Sequence, residues 1–288
     1  MARAMKLIKP TRRKFLTGAA ATLFIPAAPA IIRPVEAQFG GCLPALCATP
    51  VAPGCPPCAP IVTVNTKTID GTAGGQFTRT NTGTITLTTT QTNDVAVLIY
   101  YHESDNLAAE TIASVTSPNL TWVHHRTYNP TVGGNPWDFE IWYAPAPVAV
   151  TAELITITLT GTIDGAAYHA FGVNGCPNIS SPWDPNCTLL TSQNSVGPAA
   201  SNTVAGVDTC STGPMIIGFT GMANLPTPII PPGGATPIRA DEHNNSPVLF
   251  AWFTSFFQNF AVANSGASYT TTPTAGTPFW GMVIDALI

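Results

Sequence analysis

Charge is what this sequence of 288 residues has least of: Asp, Glu, Lys and Arg together make up 9%. A surface so poor in ions must be built from hydroxyls, amides and turns, which suits strands and loops rather than helices rich in Glu and Lys. Cations are scarcest. Seven of the eleven basic residues (Arg3, Lys6, Lys9, Arg12, Arg13, Lys14 and Arg33) precede residue 38, which leaves Lys67, Arg79, Arg126 and Arg239 against fourteen acids, about ten net negative charges. This argues against a nucleic-acid partner, because such binding needs cations to displace the counterions of phosphates. Lys67 is the one lysine after residue 37 and no glycine-rich loop precedes it, which excludes a Walker-type phosphate site. A Gly-x-Ser-x-Gly nucleophile elbow is missing too: Ala263-Asn-Ser-Gly-Ala267 has alanine at both places that need glycine. No repeat of fixed length is visible.

An unbroken apolar span is also lacking. Pro26 and Pro29 interrupt the small, apolar run Thr17–Ile32, so it falls short of the about 20 residues of a permanent transmembrane helix. What is there instead is a basic start, Thr11-Arg-Arg-Lys-Phe-Leu16, that apolar run, and Val35-Glu-Ala37 as a small-x-small cleavage candidate before Gln38. With Arg12 and Arg13 followed by Phe15-Leu16, residues 1–37 resemble the twin-arginine export signal of bacteria. The resemblance implies export of a folded chain whose disulfides close afterwards.

Residues 38–62 are dense in Pro, Gly and Cys, and read as a disordered or disulfide-tied arm that builds no core of its own. Cys42, Cys47, Cys55 and Cys58 could alternatively form an all-cysteine zinc site, although only one close pair is present. With Cys176, Cys187 and Cys210 the count is seven, so at least one lies outside any intramolecular pair. Cys176 with Cys187 is the expected bridge, since it would tie down the Pro- and Asn-rich loop between them.

Residues 63–288 read as an antiparallel β-sandwich. Strands are expected at Thr66–Ile69, Thr82–Thr89, Asp94–Tyr101, Leu120–His124, Phe139–Tyr143, Leu154–Leu159, Ala166–Val173, Asn202–Ala205, Met215–Met222, Val248–Phe260 and Phe279–Leu287. Asn174–Gly197 and Leu225–Gly234 are expected as loops, the second because of its four prolines. The segments Asn93-Asp-Val-Ala-Val-Leu-Ile99, Ser114–Trp122, Glu140–Pro145, Tyr168–Val173, Pro214–Phe219 and Trp280–Ile288 resemble a jelly-roll-like module of bacterial surface proteins and phage virion proteins. That likeness rests on core and turn residues; it implies fold and context, and transfers no catalytic residue.

Two groups of residues are candidates for chemistry. Asp138 and Glu140 sit two apart, so on a strand both face one side at roughly 6.5–7 Å between Cα atoms, a spacing from which paired acids can hydrolyse a glycosidic bond. The stretch resembles the acidic strand of concanavalin-like endoglucanases, with Pro136 where those enzymes carry a further acid. The plain alternative is a solvent-facing strand side, with Trp137, Phe139 and Ile141 packed behind it. His102-Glu103-Ser-Asp105 and His124-His125 could ligate a metal or act as bases, but adjacent histidines on a strand point to opposite faces. The remaining candidate is a binding surface: Trp183 and Asp184, inside the Cys176–Cys187 loop, where an exposed indole could stack on a sugar or anchor a protein interface.

The expectation is therefore an exported, non-enzymatic sandwich with a structural or adhesive role. It would be a cell-surface module or a virion accessory protein, meeting a glycan or protein surface or other virion proteins, and needing no cofactor. A secreted glycan hydrolase using Asp138 and Glu140 is the alternative.

Overall fold

The computed structural model describes residues 66–288 apart from 78–79, 104–109, 164, 196, 224–227 and 247–248, and describes 243–246 and 249–250 by backbone alone. The twin-arginine segment and all four cysteines of the 38–62 arm lie outside the described residues. Those described fall within one compact unit, Pro50–Ile288.

Every regular element described is a strand. The first nine are β1 (Thr68–Phe77), β2 (Thr80–Leu87), β3 (Asp94–Glu103), β4 (Ile112–Thr116), β5 (Val123–Tyr128), β6 (Thr131–Val132), β7 (Asn135–Ala146), β8 (Glu153–Ile163) and β9 (Ala166–Asn174). After a junction at 175–190 come β10 (Thr191–Asn194), β11 (Asn202–Val207), β12 (Met215–Ala223), β13 (Ile229–Ile230), β14 (Thr236–Ser246), β15 (Leu249–Asn259), β16 (Ala267–Pro273) and β17 (Phe279–Leu287).

Both groups form the same pair of antiparallel sheets. The first makes β1-β9-β3-β7-β5 and β2-β8-β4; the second makes β10-β17-β12-β15-β14 and β11-β16-β13. If the short hairpin strand β6 is set aside and strands are counted within each group, both read 1-8-3-6-5 over 2-7-4. This is the eight-strand, two-sheet arrangement of a jelly roll. The expected sandwich is thus two sandwiches in tandem, with a duplicated topology that no sequence repeat announces.

The two five-stranded sheets face each other, which gives three cores. Leu87, Leu98, Tyr100, Ile155 and Ile157 lie in the first sandwich, and Ile216, Met222, Phe256, Tyr269 and Met282 in the second. Between them Val97, Ile99, Phe139, Phe171, Phe219, Phe253 and Val283 form a middle core. A sheet covered on both faces needs apolar residues at every position, and β3, β12 and β17 are accordingly buried almost throughout. Strand β8, on an outer sheet, alternates buried and exposed residues, the half-buried pattern.

Several boundaries differ from expectation. The proline-rich excursion contains β13 and leads into β14, an edge strand with a bulge between Pro237 and Arg239, where a residue that cannot donate is tolerated. The loop expected up to Gly197 contains β10, and β4 and β16, short or rich in Thr and Ser, lie where no strand is expected.

The Cys176–Cys187 bridge is overturned. Cys176 is a free, buried thiol, part of the middle core, and burial pushes it up to about 11. Cys187 and Cys210 are disulfide-bonded. Cys176 points inward near Lys67, whose ammonium donates to the Gly213 carbonyl at 2.8 Å. Asn259 Nδ2 donates to the Lys67 carbonyl at 2.9 Å, so the start of β1 is held by the second sandwich.

Candidate functional site

Asp138 and Glu140 do face the same side of β7, opposite His102 and Tyr100 of β3, with Trp137, Phe139 and Ile141 in the middle core behind them. Their side is not solvent, however. Asp138 is 0% and Glu140 2% exposed, because the β2-β8-β4 sheet and its connections cover it. Glu140 accepts the Ile112 N–H at 2.6 Å and Trp142 Nε1–H at 2.7 Å, and His124 Nε2 lies 3.8 Å away.

Burial, then the adjacent Glu140 carboxylate to which it is hydrogen-bonded, push Asp138 up to about 10 and outweigh the Phe139 backbone N–H, which donates to Asp138 and draws its pKa down. It is therefore a neutral acid at ordinary pH. Burial lowers His102 to about 4 despite its hydrogen bond to the Glu110 backbone, so it is a neutral imidazole. Asp138 has the raised proton affinity of a general acid, but it lies inside a core. The residue Asp105 of the His102 group lies outside the described residues.

The histidines of β5 separate as expected, with a bulge between His124 and Arg126. His124 turns to Trp142, with ring centroids 5.0 Å apart. His125 turns to the junction: its Nε2 is 3.0 Å from Asp285 Oδ2 on β17, and its ring stacks on Trp183 at 3.9 Å and 7°. Tyr143 meets Trp183 edge-on at 5.8 Å and donates its hydroxyl to the Ser180 carbonyl at 3.3 Å. Trp183 is half-buried and bridges to Leu287 through its backbone.

Asp184 does not share the Trp183 surface. It is 6% exposed, and its carboxylate accepts the backbone N–H groups of Asn186, Cys210 and Ser211 at 2.9–3.0 Å. This carboxylate knot closes the junction that the Cys176–Cys187 bridge was expected to close.

A second histidine–aspartate contact lies at the opposite rim, which sequence reasoning missed. His169 on β9 is wholly buried, with Nδ1 2.8 Å from Ser255 Oγ and Nε2 3.1 Å from Asp241 Oδ2. Arg239 donates to Asp241 through Nε, and through Nη2 at 3.0 Å. Burial opposes ionisation of Asp241, but hydrogen bonds from His169 and Arg239 prevail and hold it down to about 2. The signal was present: a lone histidine in Ala166-Ala-Tyr-His-Ala-Phe171 must find a buried partner.

The two rims correspond. His125 is on the fifth strand of the first sandwich and meets Asp285 on the eighth of the second; Asp241 is on the fifth strand of the second and meets His169 on the eighth of the first. Each edge of the middle core is thus clasped by the same residue pair with the roles exchanged. Ser255, His169 and Asp241 have the composition of a nucleophilic triad, but Ser255 is 0% exposed and sits on Nδ1, with the acid on Nε2, the reverse of that arrangement. Among the described residues, no three His, Cys, Asp or Glu side chains are grouped to hold a metal. Comparison with known proteins finds no matching family model, no matching characterised protein and no matching solved structure.

Proposed function

We propose that this is an exported, non-enzymatic β-sandwich protein acting as a structural or adhesive module on a glycan or protein surface, at the cell surface or among the proteins of a phage or prophage virion. The observation that carries the reading is the burial of Asp138 and Glu140. The best-placed pair of acids is inside a core, and what a partner meets is the rims and the hydroxyl-rich outer sheets. Trp183, Tyr143 and the neighbouring exposed Arg126 form the aromatic and basic part of one rim, the residue types that dominate binding surfaces. No helix among the described residues is long and apolar enough to cross a membrane.

Retention on immobilised polysaccharides and cell-wall material tests the reading. Wild type should be retained without cleaving the matrix, and Trp183→Ala should weaken retention about tenfold, the scale of one lost aromatic contact. Cleavage of any polysaccharide that Glu140→Gln abolishes would replace this reading with the glycan hydrolase. Intact mass of the native protein sorts the settings: a start at Gln38 supports the cell surface, an uncleaved N-terminus the virion.

A further inference from the structure

We propose that the rim between β1 and β14 holds a binding site for one sugar ring of a neutral glycan. This rests on the reading of the protein as a binding module and gives it a second, distinct site. The strands are the facing edges of the two five-stranded sheets. At the opposite rim Trp183 and Tyr143 pack against the middle core; here a pocket of about 210 Å³ remains, lined by Gly74, Gly75, Gln76, Arg239, Asp241 and Glu242. Adjacent glycines bring the β1 backbone close to the charged pair: a Cβ on Gly74 would collide with Arg239 Nε and the Asp241 carboxylate, and one on Gly75 with the Tyr168 ring on the other face of the sheet.

The lining selects the ligand. Arg239 has five N–H donors and spends two on Asp241; the carboxylate has about four acceptor positions, of which Arg239 and His169 occupy three. Donors and acceptors therefore stand side by side in planar groups. Vicinal hydroxyls, each able to give and take a hydrogen bond, match that array. An anion would face Asp241 and Glu242, and an ammonium would face Arg239; a metal ion would lack a third ligand among the described residues.

The array is also held still before any ligand arrives, with wholly buried His169 and Ser255 behind the carboxylate. Such pre-organisation reduces the ordering cost of binding. The volume is below the several hundred Å³ of sites for larger ligands, which limits the occupant to a single ring.

Saturation-transfer NMR on the intact protein, with a panel of methyl glycosides of gluco, galacto, manno and N-acetylglucosamine configuration, tests the site. At least one should receive transfer, and its affinity should fall at least tenfold in Arg239→Gln and in Asp241→Asn. If either variant fails to fold, Gln76→Leu, on the exposed edge of β1, should give a loss of severalfold. Transfer to none of the glycosides, or affinity unchanged in the folded pocket variants, overturns the proposal. If wild type gives no transfer yet is retained on polysaccharide, the pocket assignment alone falls; if it does neither, the module reading falls with it.

Discussion

The two sandwiches share a strand order and differ in what they bury. In the second, the outer core is Ile216, Met222, Phe256, Met282 and their neighbours. In the first, the corresponding layer also encloses His102, Asp138 and Glu140. The same eight-strand path accommodates either filling, so topology and the chemistry of the core are set by different features of the chain. The first sandwich carries a neutral acid against a carboxylate, an arrangement stable only while the proton stays.

Three experiments break or sharpen this comparison. The largest effect is expected from Phe253→Ala, because Phe253 belongs to the core that both sandwiches share and stacks on Tyr101 across it at 5.7 Å. It should cost about 3–5 kcal/mol, and chemical denaturation should show one transition for both halves. Two separated transitions would mean that the middle core does not couple them.

Next comes the proton on Asp138. The folded state holds it up to about pH 10, whereas the unfolded chain releases it near pH 4. Folding therefore takes up a proton between those values, and stability falls as pH rises, by about 1.4 kcal/mol per pH unit. Urea midpoints between pH 7 and 9 should decline for wild type, while Asp138→Asn should flatten the decline. That window lies above the range where His102 and Asp94, raised to about 6, change state. An equal slope in wild type and variant would remove the buried-acid account.

The smallest difference is between the rims. His169→Gln leaves Ser255 and part of Asp241 without their buried partner and should cost about 1–3 kcal/mol. His125→Gln, at a partly exposed site, should cost under about 1 kcal/mol. Thermal unfolding of the two variants measures the contrast, and equal losses would show that burial does not distinguish the rims.

Much of the strand content could be read from alternation and from β-branched and aromatic runs, as in Asp94–Tyr101 and Met215–Met222. The shared orientation of Asp138 and Glu140 and the opposed orientation of His124 and His125 follow from the strand period. Their environments do not. Whether a strand face meets water or another sheet depends on chain segments far away, so a pair expected on a solvent-facing side lies under the β2-β8-β4 sheet. Strand β14 is not legible in the sequence because Pro237 and its charges read as loop, and an edge position tolerates both.

By itself the sequence determined an all-β chain, with the scarcity of charge that suits it and the local facing of neighbouring side chains, because these follow from backbone period and side-chain type. Only the tertiary structure decided that the domain is two sandwiches of one topology, that Cys176 stays a thiol, and that His169 meets Asp241 across the middle core. Those outcomes depend on which distant strands come to lie side by side, a matter of packing between sheets that no local pattern encodes.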